Sequence, residues 1–144
     1  MHGETDLQTL LSTMQPYLHD LPYVFSSVPR DRFARLSFEP LGVFHEQEGI
    51  TIISTQQQAR DSGLPFEPTW ACISLRVYSS LSAVGFMAAV AGALARAGIS
   101  VNPVSAYYHD HLFVPWAKRR QAVEALGMLG RSPKREPGKK SDPE

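Results

Sequence analysis

His109, Asp110 and His111 set two imidazoles around a carboxylate, a combination suited to holding a metal ion or relaying a proton. A structural zinc site needs four ligands and a catalytic one three plus water, so this triplet needs a contribution from a distant part of the chain. The remaining histidines are His2, His19 and His45. Only His45 falls on an expected hairpin, and neither HExxH nor a CxxC pair occurs. Nucleophilic catalysis also lacks its parts. Cys72 sits in mid-strand, and GxSxG, GxxxxGK[ST] and GxGxxG are all missing, so no cofactor is expected. The reading that accounts for every residue is a hairpin tip: aspartate favours turns by bonding to nearby backbone, and Tyr107 and Leu112 begin the strands on either side. A ligand-contacting or pH-sensing role for either histidine stays open.

Around this triplet the residues from 70 to 129 read in the order β-α-β-β-α. In Ala71–Val77, apolar Ala71, Ile73, Leu75 and Val77 alternate with Cys72, Ser74 and Arg76, which predicts a half-buried strand. Ser79 and Ser80 offer hydroxyl caps for a helix over 81–97, closed by Gly98. That helix is nearly apolar around its circumference, with Ala88, Ala91 and Ala95 on one stripe and Met87, Val90 and Leu94 on another. A helix of this kind is expected to be covered on several sides, by a second half-domain or another subunit; the alternative is a thin shell with exposed alanines. A strand from Ile99, the turn at 109–111, a strand over 112–115 and a last helix opened by Pro115 and stopped by Gly130 follow.

The first half is less regular. Thr5 with Gln8 fits a capping box for a short helix ended by Pro16. Residues 23–28 are strand-like, and 41–45 and 50–54 form a hairpin. Gln56–Gly63 is a short helix, and no convincing helix lies between Val28 and Glu39. Residues 131–144 mix proline, glycine and charge without an apolar anchor, the composition of a disordered tail.

The formal net charge is zero, which gives no electrostatic footprint for nucleic acid or an anionic membrane. "KRR" at 118–120 reads as a solvated helix face. No stretch reaches the roughly 18 apolar residues of a membrane span. One cysteine permits no intrachain disulfide, and a cytoplasmic location is expected.

The segment "SLRVYSSLSAVGFMAAVAGALARAGISVNPVSAYYHDHLFVP" resembles the ACT-domain family, small ligand-sensing modules of amino-acid metabolism. The likeness lies in its order: a strand, a serine-containing loop, a helix with a small-residue face, "GISVN" opening the next strand, and a hairpin ending in an apolar strand. It implies an α+β, ferredoxin-like (βαββαβ) antiparallel sheet with helices on one face. The chain as a whole resembles proteins made of two ACT-like halves, tandem or intertwined: a degenerate half over 1–68, a clearer one over 69–130, then the tail. The resemblance implies a non-catalytic regulatory protein that binds an amino acid or related metabolite and forms a homodimer or higher oligomer.

Within that frame the ligand site is expected at the first strand–helix loop: Ser79, Ser80, Leu81, Val84 and Gly85, with Val101 and Asn102 on the neighbouring strand. Backbone N–H groups at a helix start suit a carboxylate, glycine permits close approach, and Asp110 or Glu39 could meet an ammonium. The same serines could instead serve only as caps, and an ACT surface could serve assembly alone, without a ligand. An enzyme using the His109–His111 tip is a third, weaker reading.

Overall fold

A computed structural model describes residues 6–77 and 83–131, with the side chains of 130 and 131 left aside. The elements run α1 (Leu7–Thr13), β1 (Pro16–Val28), α2 (Arg30–Phe33), β2 (Gly42–His45), β3 (Ile50–Thr55), α3 (Gln56–Asp61), β4 (Trp70–Leu75), α4 (Phe86–Arg96), β5 (Asn102–Ser105), β6 (Asp110–Pro115) and α5 (Arg119–Arg131). A single 3-10 turn, Trp116–Lys118, leads into α5. The six strands form one antiparallel sheet in the order β2-β3-β1-β4-β6-β5.

After α1, the order β-α-β-β-α occurs twice, once from β1 to α3 and once from β4 to α5. β1 and β4 pair at the centre of the sheet. Each run of three strands therefore has the first strand of the other run as its fourth neighbour, which gives the ferredoxin-like order on both sides. The expected α+β fold holds. In the first run the helices shrink to four and six residues, against eleven and thirteen in the second.

Several local expectations are corrected. Asp6 caps α1, its carboxylate accepting from Thr9 N at 2.9 Å; Thr5 lies outside the described residues. Pro16 does not merely end α1. It is the first residue of a thirteen-residue strand, a position where a missing N–H is tolerated. Pro22 sits where the β1–β4 register shifts, another site that spares a ladder bond. β4 is buried on both faces rather than one: Ala71, Ile73 and Leu75 join the helix-side core, and Cys72 packs with Ile53 and Phe113 on the other face. Gly130 does not stop α5, which runs on to Arg131. Gly63 and Gly98 close α3 and α4 as expected, with φ of 65° and 73°.

All five helices lie on one face. Leu10, Ala71, Ile73, Leu75, Phe86, Val90, Leu94, Leu112, Val114 and Leu126 join α1, α4 and α5 to β4 and β6. Val24, Val28, Ile50, Ile52 and Ala59 continue that face beneath α3. α4 buries Phe86, Val90 and Leu94, spaced four apart, while Ala88 and Ala95 are exposed and Ala91 is half-buried. Within one chain the alanine stripe is thus uncovered.

Among the described residues the opposite face carries no helix, yet it is not flat. Flat, five strand spacings of roughly 4.8 Å would set the two edges about 24 Å apart. Instead Leu41 and Gly42 at one edge line the same cavity as Val104 and Ala106 at the other. The sheet curls into a trough, with Ile53, Cys72 and Phe113 buried on its floor and Tyr23, Phe25 and Trp70 around them.

Candidate functional site

The site expected from sequence centres on the passage from β4 into α4. Ser79, Ser80 and Leu81 lie outside the described residues. Their proposed partner helix does not begin at 81. Gly85 is its N-cap, with φ 87° and no side-chain hydrogen bond, and the helix starts at Phe86. A left-handed residue cannot continue a right-handed helix, so the glycine fixes where α4 begins. Among the described residues, a Cβ added at Gly85 would meet Leu7 Cδ2 at an ordinary 3.6 Å. The backbone angle is by itself enough to favour glycine here. The first α4 bond runs from Ala89 N to the Gly85 carbonyl at 2.9 Å. Val84, beside it, is 84% exposed.

Asp110 belongs to this end of the sheet. It pairs with Leu75, the last residue of β4, and with Ser105. It is buried, on the face that also carries Leu112 and Val114. Asp110 and His111 are therefore strand residues, not the hairpin tip. Ala106 N donates to His109 O at 3.0 Å, which puts Tyr107 and Tyr108 at the turn. The physical reason is parity: Leu112 and Val114 must face the helices, and a slip of one residue would turn both outward. His109 flanks the turn, its Nδ1 lying 3.3 Å from the Val77 carbonyl.

Val101 and Asn102 fall elsewhere. Asn102 pairs with Phe113, three rungs along β6 from Asp110, and follows the C-terminal end of α4. At 1.5 Å per residue α4 spans about 16 Å, so one chain separates these two residues from Gly85 by roughly that length. Val101 is half-buried against the helix-side core. Glu39 is exposed in the segment before the opposite edge strand.

The "KRR" run serves local structure. Lys118 Nζ donates to the Gly98 carbonyl at 2.9 Å, and the Arg119 guanidinium lies 3.9 Å over the Trp116 ring. Among the described residues no group of three or more His, Cys, Asp or Glu is placed to hold a metal ion. His45 instead packs edge-on against Phe33.

A polar cluster that the sequence pattern did not reveal lies in the trough. Ser74 Oγ is 2.7 Å from His19 Nε2 and 2.7 Å from His111 Nδ1. β1, β4 and β6 are adjacent in the sheet, and each contributes one member. Burial is the main cause that holds the His19 imidazole below its ordinary value; the positive charge of Arg76 adds to it and Asp20 opposes it. His111 is lowered by burial, then by His109 and His19, against the opposing pull of Asp110. Both rings are therefore disposed to be neutral. Burial also pushes the neighbouring Cys72 thiol up to about 11, which removes it as a nucleophile near neutrality. The only sequence signal for this cluster was alternation, which puts Ser74 on the outward face of β4. It could not say that strands 37 and 55 residues away would flank it.

Two ACT-domain family models match the chain, one over residues 2–71 and the other over 66–127. Among solved structures, a Vibrio cholerae protein described as of unknown function and a possible transport protein is 40% identical, with a TM-score of 0.76; the match covers 86% of this chain and 95% of that one. An Agrobacterium tumefaciens protein is 15% identical with a TM-score of 0.64, over 81% of this chain and 89% of the other. The ligand-free regulatory subunit of aspartate kinase from Thermus thermophilus is 11% identical with a TM-score of 0.62, over 83% and 98%. A search of the curated proteins finds no match. With the doubled β-α-β-β-α order, the two matched models and the 40% identical relative, the chain belongs to the ACT-domain family.

Proposed function

We propose that this protein is a non-catalytic, cytoplasmic regulatory module that binds an amino acid or a closely related metabolite where β4 passes into α4. The observation that carries the reading is Gly85: a left-handed N-cap that supplies no side-chain acceptor to the first N–H groups of α4. Those donors and the helix dipole favour a carboxylate. Asp110, at the same end of β4, gives a nearby negative charge for an ammonium. The proposed site also takes in Val84 and, outside the described residues, Ser79, Ser80 and Leu81. The likeness to a regulatory subunit of an amino-acid-metabolising enzyme is in keeping with the reading.

Val101 and Asn102 join this site only if they come from a second copy, since one chain holds them at the far end of α4. The proposed assembly is accordingly a homodimer or higher oligomer, with the exposed alanines of α4 and Val84 as the apolar surface available to it. Among the described residues no helix is long and apolar enough to cross a membrane.

A thermal-shift screen against the twenty amino acids tests the reading. A ligand present at 100 times its dissociation constant adds about 2.7 kcal/mol to the folded state. One or a few amino acids are expected to raise the midpoint. Indifference to all twenty leaves an assembly module without a ligand.

A further inference from the structure

We propose that the trough on the helix-free face of the sheet is a second binding site, which takes a small apolar carboxylic acid with its acid group on the His19–Ser74–His111 chain. The cavity measures about 160 Å³. That is close to the roughly 150 Å³ of an engineered apolar cavity that accepts benzene, so the occupant is a ring or a short branched chain. Its walls are largely apolar: Leu41 and Val104 at the two sheet edges, Ile53 and Phe113 on the floor. The polar side chains His19, Ser74 and His111 all line it. This is the composition of a ligand pocket, an apolar body with a few converging polar groups.

The chemistry of the head group follows from the hydrogen-bond chain. Ser74 can donate to only one ring, so at least one imidazole N–H donates to Oγ; in the arrangement that spends the hydroxyl within the chain, it donates to the other ring. In the neutral chain the two outer nitrogens, His19 Nδ1 and His111 Nε2, are then one acceptor and one donor. Neither has a hydrogen bond among the described residues. A single added proton, placed on the outer acceptor, leaves the inner bonds intact and makes both ends donors. Two donors and one positive charge match a carboxylate.

The surrounding charges favour the same sign. Among the described residues no carboxylate lines the cavity. The groups acting on the chain are Arg76 and Asp20 at His19, and His109 and Asp110 at His111, with Asp110 turned to the helix side. Arg76 stacks 3.7 Å over Tyr17, on the same side of the sheet as Ser74. Among the described lining residues an ammonium would find no counter-charge. This separates the trough from the amino-acid site proposed at Gly85, which lies on the helix side of the sheet. The lowered imidazole values mean that the empty site is neutral near pH 7, so anion and proton enter together.

Imidazole NMR of the intact protein tests this with benzoate and isovalerate against benzylamine and isopentylamine. The carboxylates are expected to shift the His19 and His111 ring signals, with affinity at least about tenfold weaker at about pH 8 than at about pH 5.5. The amines are expected to leave those signals unmoved. Val104→Phe fills the trough from an exposed edge strand and should abolish the shifts in a folded protein; Ala106→Leu, also exposed, serves if Val104→Phe does not fold. The proposal is overturned if neither carboxylate moves the rings at either pH, if the amines move them equally, or if a folded trough-filling variant binds as before.

Discussion

Ser74 is 6% exposed and holds an imidazole on either side, so the protonation of His19 and His111 is tied to folding. Both rings have values below the 6.5 of a free imidazole, chiefly through burial. The unfolded chain therefore binds protons more readily than the folded one in the window from those lowered values up to about 6.5. Stability should rise with pH through that window, be complete above it, and fall as pH drops through the folded-state values. Urea denaturation at about pH 5 and about pH 7.5 is expected to give a lower midpoint at the lower pH. Replacing both rings, His19→Asn with His111→Asn, should flatten that difference. An equal midpoint at the two pH values in the native protein contradicts this view of the pair. No residue-level rule joins these three side chains, because alternation assigns a face but not a neighbouring strand.

At the scale of elements, the junction between β4 and α4 turns on one dihedral. A side chain at Gly85, with φ 87°, is strained regardless of space, so Gly85→Ala should cost about 1–2 kcal/mol in chemical denaturation. The same variant should weaken amino-acid binding, since relaxing the strain re-aims the first N–H groups of α4. A change below about 0.5 kcal/mol would mean that the turn adapts, and that its shape is not what prepares the site. The helix itself was legible in its apolar run, and so was Gly98 as its stop. Its start was not, because serines announce a cap through side-chain chemistry whereas this cap works through a backbone angle. The strand-like pattern of β1 covers only residues 23–28, and Pro16 reads only as the end of the first helix; Pro16 and Pro22 both lie within the strand. Their real positions, a strand start and a register shift, are the two places where a strand tolerates them.

At the scale of the molecule, two β-α-β-β-α runs share one sheet through the pairing of β1 with β4. The second run was legible because its helices are long enough to carry a periodic apolar face. In the first run the hairpin and α3 were legible, but α2 was not, because four residues are too few to show a periodic face. The curl was invisible in the sequence, since no local pattern reports how far two sheet edges approach. The sharing also gives the molecule two unlike faces: helices and the β4–α4 junction on one, the trough with its histidines on the other. The central claim is that the helix-bearing side binds an amino acid at the start of α4. Backbone amide NMR of the intact protein, titrated with the amino acid that raises its thermal midpoint, tests this directly. The account predicts the largest shifts at the Gly85, Phe86, Met87 and Ala88 amides, with Asp110 following. Saturable binding that leaves those amides unmoved, or no binding by any of the twenty, contradicts it.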